Sequence, residues 1–348
     1  NEKIIENYIN STPYNDSWKR NIKNDYDSYI SKLNHLTEID QVTISEIFDN
    51  NQNFISLSSE NENYFFTKEE IAEIISKNKL NNQRYVYIPN QEYDEKLYSN
   101  FAKISEVFNG YLKYSKNLFI NIDYENKLIN LKQNNPDDWI LFVDTDIEEW
   151  TILFEGIKPN KKNLNFERIN NYGLTGCLNF YNSTFKHSSI KVINGKCEDS
   201  LNIINSEGLI NKIEIENSYS DGLDVDFSNI KFNLISILNS RNDCLDVSAG
   251  NYKIEKIKAK ICGDKGVSVG EKSNMSIELL EIDDATIGLS SKDSSITSIK
   301  NYYQKNVNNC FEVMKKKQEF GGAELILRKD KCDNNVIDNN SRINLNKS

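Results

Sequence analysis

From Glu198 onward the hydrophobic and polar positions recur at a fixed interval. Five runs share one layout: Glu198–Ile203, Ser220–Val225, Asn242–Val247, Asp264–Val269 and Asn308–Val313. The first four start at 198, 220, 242 and 264, a step of 22, and two further steps reach 308. Leu201, Leu223, Leu245, Val267, Leu289 and Phe311 fall in one register. Two residues on stand Ile203, Val225, Val247 and Val269, followed by Ser291 and Val313. Between these apolar columns runs a polar one: Asn202, Asp224, Asp246, Ser268, Ser290 and Glu312. Apolar-polar-apolar is the period of a β-strand with one face inside. The residue before each strand is small (Ser200, Gly222, Cys244, Gly266, Gly288, Cys310), which predicts a tight backbone passage on every turn.

A period of this size belongs to a solenoid. A leucine-rich repeat would follow its strand with a helix or an irregular arm. Here a second alternating run follows, with Ile213, Ile235, Ile257 and Leu279 again stepping by 22. A third patch, Ile230 to Phe232 and Tyr252 to Ile254, repeats at the same interval. Three strands per coil without a helix predict an all-β, right-handed parallel β-helix with about 22 residues per coil.

The rest of the chain is placed around that repeat. Residues 1–110 read as a small mixed α/β region capping the β-helix. Helical spacing occurs at Ile4 to Ile9 and Tyr26 to Leu33, and Thr67 to Glu70 forms a capping box opening a helix over Ile71 to Ile75. Arg84 to Pro89 reads as a strand and Tyr93 to Phe108 as a helix. Residues 111–328 are assigned to the β-helix. Its first, irregular coils are Leu118 to Ile122, Leu128 to Leu131, Trp139 to Val143 and Trp150 to Phe154. Gly176 to Phe180 repeats the core strand with the spacing stretched by one, and Ala323 to Leu327 closes the stack. Residues 329–348 read as a polar tail that frays.

Composition narrows the function classes. A net charge of −10 and a pI near 5.0 argue against nucleic acid or an anionic membrane as partner. No apolar run approaches the ~20 residues of a membrane span. The start carries no initiator Met and no signal-peptide pattern, so the chain reads as a mature product or part of a longer one. Extracellular or cell-surface placement is favoured over cytoplasmic. The six cysteines show no zinc spacing and are expected to be packing thiols, with Cys244 and Cys262 close enough to oxidise. His35 and His187 fall outside the repeating columns and read as surface residues.

The candidate chemistry lies on the outer face of the core strands. Coils stack about 4.8 Å apart, so residues 22 apart are neighbours. One column reads Asp199, Asp221, Asp243, Lys265; beside it stand Asp224 and Asp246, with Asp226 one outward position further. At ~5 Å and an effective dielectric near 20, each like-charge pair costs about 3 kcal/mol. Relief has to come from a cation, from raised pKa values, or from Lys265 beside Asp243. Calcium is the expected cation, held by Asp221, Asp224, Asp243 and Asp246. Asp199, Asp226, Glu271 and Lys292 are expected to contact substrate, and Asp221, Asp243 and Lys265 to be catalytic. The alternative is an inert ladder of turn-capping Asp and Asn side chains.

Ser220–Val225, Asn242-Asp243-Cys244 and Gly263–Gly270 resemble the pectin-lyase-like β-helix superfamily. They are similar to polygalacturonases, whose Asn-Thr-Asp, Asp-Asp and Gly-His-Gly motifs fall on successive coils in this order. Asp221 matches the acid of the first motif and Asp243 that of the second. Lys265 stands at the histidine position, and Asn242 replaces the first Asp of the pair. The stretch from about Trp150 to Leu327 also resembles β-helix modules of bacterial surface proteins, some joined to CotH-type kinase domains. It does so on Gly263–Glu271 and on Glu319-Phe320-Gly321. No kinase motif or phosphate-binding glycine loop is present in this chain.

These residues imply a carbohydrate-active protein working on an acidic polysaccharide. In a lyase, a calcium-bound uronate would lose a proton to Lys265, its pKa lowered by desolvation. In a hydrolase, Asp221 and Asp243 would serve as acid and base without a cation. The third reading is a non-catalytic glycan-binding or structural module.

Overall fold

A computed structural model describes residues 103–158, 168–170, 174–329 and 332–345, together with four strands between residues 43 and 88. The chain divides into two compact units, Asn1–Asn100 and Phe101–Ser348. In the first, β1 (Thr43–Glu46), β2 (Phe54–Ser58), β3 (Asn63–Thr67) and β4 (Val86–Ile88) form one sheet in the order β3-β2-β1-β4. The strand expected at Arg84 to Pro89 is β4. The helices expected at 4–9, 26–33 and 71–75 lie outside the described residues.

The second unit opens with β5 (Lys103–Val107), β6 (Gly110–Tyr114), β7 (Phe119–Asp123) and β8 (Leu128–Lys132). β5 corrects the helix expected over Tyr93 to Phe108: Lys103–Val107 alternates as a strand and pairs antiparallel with β6. β6 in turn runs antiparallel to β9 (Ile140–Val143), and β7 antiparallel to β8. Antiparallel strands are thus added to the first coils, which β8 opens by pairing parallel and in register with Thr151–Glu155. Regular winding begins with β9, β10 (Asp146–Glu148) and β11 (Thr151–Glu155).

From there the chain is a right-handed parallel β-helix. Its strands are β12 (Gly176–Tyr181), β13 (Thr184–Ile193), β14 (Asp199–Ile204), β15 (Glu207–Ser218), β16 (Asp221–Asp226), β17 (Asn229–Ser240) and β18 (Leu245–Ser248). Three long strands follow, β19 (Asn251–Val269), β20 (Asn274–Lys292) and β21 (Ile296–Met314), and then β22 (Glu324–Leu327). One parallel column joins Ile140, Leu178, Leu201, Leu223, Leu245, Val267, Leu289, Phe311 and Asn335, nine rungs in register. The apolar members of this column are fully buried, each contributing about 2 kcal/mol by leaving water. Phe142 and Phe180 stack at 4.6 Å inside the first coils.

The structure adjusts the sequence register once. Ile257 pairs with Leu280, not Leu279, because the coil from Asn251 to Asn274 holds one extra residue. Leu280 is fully buried, while Leu279 pairs with the outward Lys256. The tail also departs from expectation: β23 (Asn335–Ile337) and β24 (Arg342–Leu345) pair parallel with β21 and β22 and complete a last rung.

Asparagine recurs at two corners of the coil. Asn182, Asn205, Phe227, Ala249, Lys272 and Ser294 hold positive φ at one corner, and Asn194, Asn217, Asn239, Ile261, Asp284 and Asn306 at another. Asparagine tolerates this region better than most residues. Its amides then bond along the stack, Asn239 to Asn217 at 2.8 Å and Asn251 to Asn229 at 2.7 Å. The small column has a different cause. A Cβ on Gly222 would sit 2.5 Å from the carbonyl oxygen of Cys244, and one on Gly266 2.7 Å from that of Gly288.

The cysteines correct the expectation of packing thiols. Cys177–Cys197, Cys244–Cys262 and Cys310–Cys332 are disulfides, and no described cysteine is free. Cys244 and Cys262 are 18 residues apart, the same offset as Ser200 and Ser218, whose hydroxyls bond at 2.8 Å. That offset brings the small column against the long strand that follows it in the chain, where two thiols can join.

Candidate functional site

The outward positions of β14, β16 and β18 and of the coil after them gather the candidate residues. Asp199 and Asp221 are register partners. The Asp243 amide donates to Asp221 Oδ1 at 2.8 Å, and the Lys265 amide to Asp243 Oδ1 at 3.0 Å. Each of these two acids therefore caps the backbone one coil on. The Lys265 ammonium pairs with Asp243 at 3.4 Å and also with Asp264. Asp264 was not singled out by the repeat; its only signal is adjacency to Lys265.

The second column pairs Asn202, Asp224 and Asp246 across neighbouring coils, with Asp226 two residues beyond Asp224. The Asn202 amide nitrogen donates to Asp199 at 3.1 Å, to Asp224 at 3.3 Å and to the Thr175 hydroxyl at 2.8 Å. Asp199, Asp221 and Asp243 are buried, while Asp224, Asp226 and Asp246 keep partly exposed edges. The acids expected to share one patch are thus together. Tyr252, buried inside the coil, braces the strands from below: its hydroxyl lies 2.8 and 2.7 Å from the Val225 and Ser248 carbonyls, either of which accepts its one proton.

Crowding is relieved mainly by protons. Burial, reinforced by the charge of Asp243, pushes Asp221 up to about 8. Burial also raises Asp199 to about 6 and, with Asp246, Asp226 to about 7. Asp224 lies well above the carboxylate range because it is buried among Asp226, Asp199 and Asp246. Asp246 is raised by burial, against the nearby Lys292 charge. Asp243 is raised by burial to only about 6, since Lys265 opposes the rise. Adjacent acids in one low-dielectric patch hold their protons collectively.

Lys265 does not fit the base expected of a lyase. Burial pulls its pKa down, but Asp243 and Asp264 outweigh that and hold it above its ordinary value. It is a fixed cation. Lys292 is buried and donates to the Ser268 hydroxyl at 2.7 Å, beneath the face where substrate was expected to meet it. Glu271 accepts from the Ser248 hydroxyl at 2.8 Å and pairs with Lys317; burial opposes its ionisation, yet Lys317 keeps it below the usual range. Among the described residues, no three His, Cys, Asp or Glu side chains are grouped to hold a metal ion.

The comparisons with known proteins add no relative. No protein-family model matches the sequence, and no curated protein or solved structure matches it. The chain is a parallel β-helix. No described helix is long and apolar enough to cross a membrane.

Proposed function

We propose that this protein is a glycan-cleaving β-helix that hydrolyses an acidic polysaccharide on the outer face of coils 199 to 265. The observation that carries this reading is a pair of neighbouring acids whose environments differ. Asp221, pushed to about 8, keeps its proton at neutral pH, whereas Asp243, held near 6 beside Lys265, has lost its own. Acid and base roles follow from such a separation. Asp221 donates its proton to the glycosidic oxygen as the bond to the anomeric carbon breaks. Asp243 takes a proton from the water that adds its hydroxyl to that carbon. Asp224, Asp226 and Asp246, all partly exposed and all raised above the ordinary carboxylate range by burial, offer hydrogen bonds to sugar hydroxyls.

Resemblance to the pectin-lyase-like superfamily and to bacterial surface β-helix modules agrees with this reading. So do three disulfides, which persist in oxidising, extracellular settings. A second reading, an inert structural module, is favoured by the backbone amides that Asp221 and Asp243 accept. The two separate in one experiment. Acidic and neutral polysaccharides are incubated with the protein, and both reducing ends and the ultraviolet absorbance of unsaturated sugars are followed. Hydrolysis gives reducing ends without the absorbance, and both Asp221→Asn and Asp243→Asn abolish them. Absorbance would restore elimination, and no product from any polymer would leave the structural module.

A further inference from the structure

The last full coil of the β-helix is followed by a shorter one. Twelve residues carry the chain from Ile299 to Phe311 on β21, as from Ile277 to Leu289 on β20. One rung on, Leu327 pairs with Ile299 and Asn335 with Phe311, only eight residues apart. At about 3.3 Å per extended residue, eight residues cannot retrace a path that twelve follow. The chain therefore cuts across the end of the coil. Among the described residues no strand pairs with the outer edge of β21 between Lys300 and Asn309.

Burial and backbone bonding both register the gap. Tyr302, Gln304 and Val307 are only half-buried, whereas their register partners one rung back, Leu280, Ile282 and Ala285, are almost fully buried. Tyr303, on the outward side, is 67% exposed. The Ile299 carbonyl accepts the Arg328 amide across this edge at 3.4 Å. Backbone groups alternate sides along a strand, so Asn301, Tyr303 and Lys305 aim theirs from the same edge. Among the described residues no backbone group meets them there.

Flanking strands make this a notch. β23 stands one rung above Phe311 to Val313, and β22 and β24 stand one and two rungs above Ile296 to Ile299. The sheet edge of a second copy cannot reach a strand recessed in this way, but a single extended segment can. Charge defines that segment. Outward side chains here alternate in sign along the stack: Lys260, Asp283, Lys305. Asp283 is held by Lys260 at 3.8 Å and by the Asn306 amide at 3.0 Å, which leaves Lys305 without an ion pair among the described residues. Lysine commonly guards an exposed edge. An acidic residue opposite turns that guard into a cross-strand pair.

We propose that this notch docks one extended segment of a partner polypeptide. The segment adds as a strand to β21, with apolar residues turned in over Tyr302 and Val307 and an acidic residue turned out against Lys305. Open groups on Asn301, Tyr303 and Lys305 supply main-chain bonds, and the side-chain alternation selects the partner. The site is independent of the acid face and of any action on a glycan.

The test uses the full chain and three synthetic peptides. One alternates valine with glutamate, one alternates valine with lysine, and the third is the glutamate peptide broken by a central proline, which cannot complete the ladder. Fluorescence anisotropy measures binding, and amide hydrogen exchange of the protein locates it. The glutamate peptide is expected to bind about tenfold or more tightly than either control and to slow exchange at Asn301, Tyr303 and Lys305. A net charge of −10 favours the lysine peptide everywhere else on the surface, so a preference for glutamate reports the notch. Lys305→Glu is expected to reverse the preference between the two unbroken peptides. Tyr303→Pro, which removes an N–H that the fold leaves unused, is expected to abolish binding; should it fail to fold, the charge reversal decides alone. Equal binding of the proline peptide, a Lys305→Glu variant that still prefers glutamate, protection confined to other strands, or no binding by any peptide would overturn the site. Sedimentation of the chain alone tests the other occupant: a concentration-dependent dimer lost in Tyr303→Pro would hand the edge to a second copy and overturn the partner.

Discussion

Replacing Asp221 by asparagine removes one proton-binding group from the middle of the acid face while keeping its shape. The amide oxygen can still accept the Asp243 N–H now received at 2.8 Å. In the unfolded chain this carboxyl ionises above its ordinary 3.8, and in the folded chain only near 8. Between those values the unfolded state holds fewer protons, so the folded state loses stability as pH rises. At pH 7 the interval is 7 − 3.8, roughly 3 units, and at ~1.4 kcal/mol per unit the penalty is about 4 kcal/mol. Against a typical total of about 5–15 kcal/mol that is large. Asp199, Asp226 and Asp243 are shifted the same way and steepen the fall; Glu271, shifted down, opposes it only at low pH. Urea unfolding at pH 4.5 and pH 7 measures both slopes. Wild type is expected to weaken over that interval, and Asp221→Asn to lose markedly less and to exceed wild type at pH 7. An unchanged or weaker variant at pH 7, or a wild type that strengthens with pH, would refute the account of a buried, protonated acid. A variant both sturdier and inactive would show an acid retained against the interest of folding.

Other outcomes follow from the same geometry. If Asp243 is the base and Asp221 the acid, hydrolysis peaks between about pH 6 and 8, and Lys265→Met moves the acid limb upward by roughly one unit or more by removing the charge that holds Asp243 down. Calcium at neutral pH is expected to leave the melting temperature unchanged, since Asp221 and Asp224 hold protons and Asp243 is paired with Lys265; a shift of several degrees would show a cation site. Leu245→Ala, at a fully buried rung, costs about 2–5 kcal/mol in chemical unfolding. Opening Cys244–Cys262, which spans 18 residues, by a Cys244→Ser and Cys262→Ser pair costs about 3 kcal/mol and makes wild-type stability sensitive to reductant.

Much of the fold was legible because a solenoid prints its cross-section repeatedly. The column from Leu201 to Phe311 needed no more than counting, and the structure keeps it in register. What escaped lay where the count breaks. One inserted residue put Leu280 inside where Leu279 was expected. Residues 103–107 carry an alternation that a longer helical spacing masked. The disulfides have separations of 20, 18 and 22 residues, with no common offset to count; only the Cys244–Cys262 pair, whose spacing matches Ser200 and Ser218, stood out as close enough to oxidise. At the site, period alone brought Asp199, Asp221, Asp224, Asp226, Asp243 and Asp246 together. It could not give their protonation, which depends on how much water burial removes, nor the pairing of Lys265 with Asp264.

The three cross-links are evenly placed. Cys177 precedes Leu178, Cys244 precedes Leu245 and Cys310 precedes Phe311, and three rungs separate each from the next. In a stack where each turn touches only its neighbours, tension applied to the two ends peels turns off singly. Rivets at this interval cap how far such a tear can pay out before meeting a loop that will not lengthen. Each rivet holds about one turn closed on itself, and the acid face lies across the middle one.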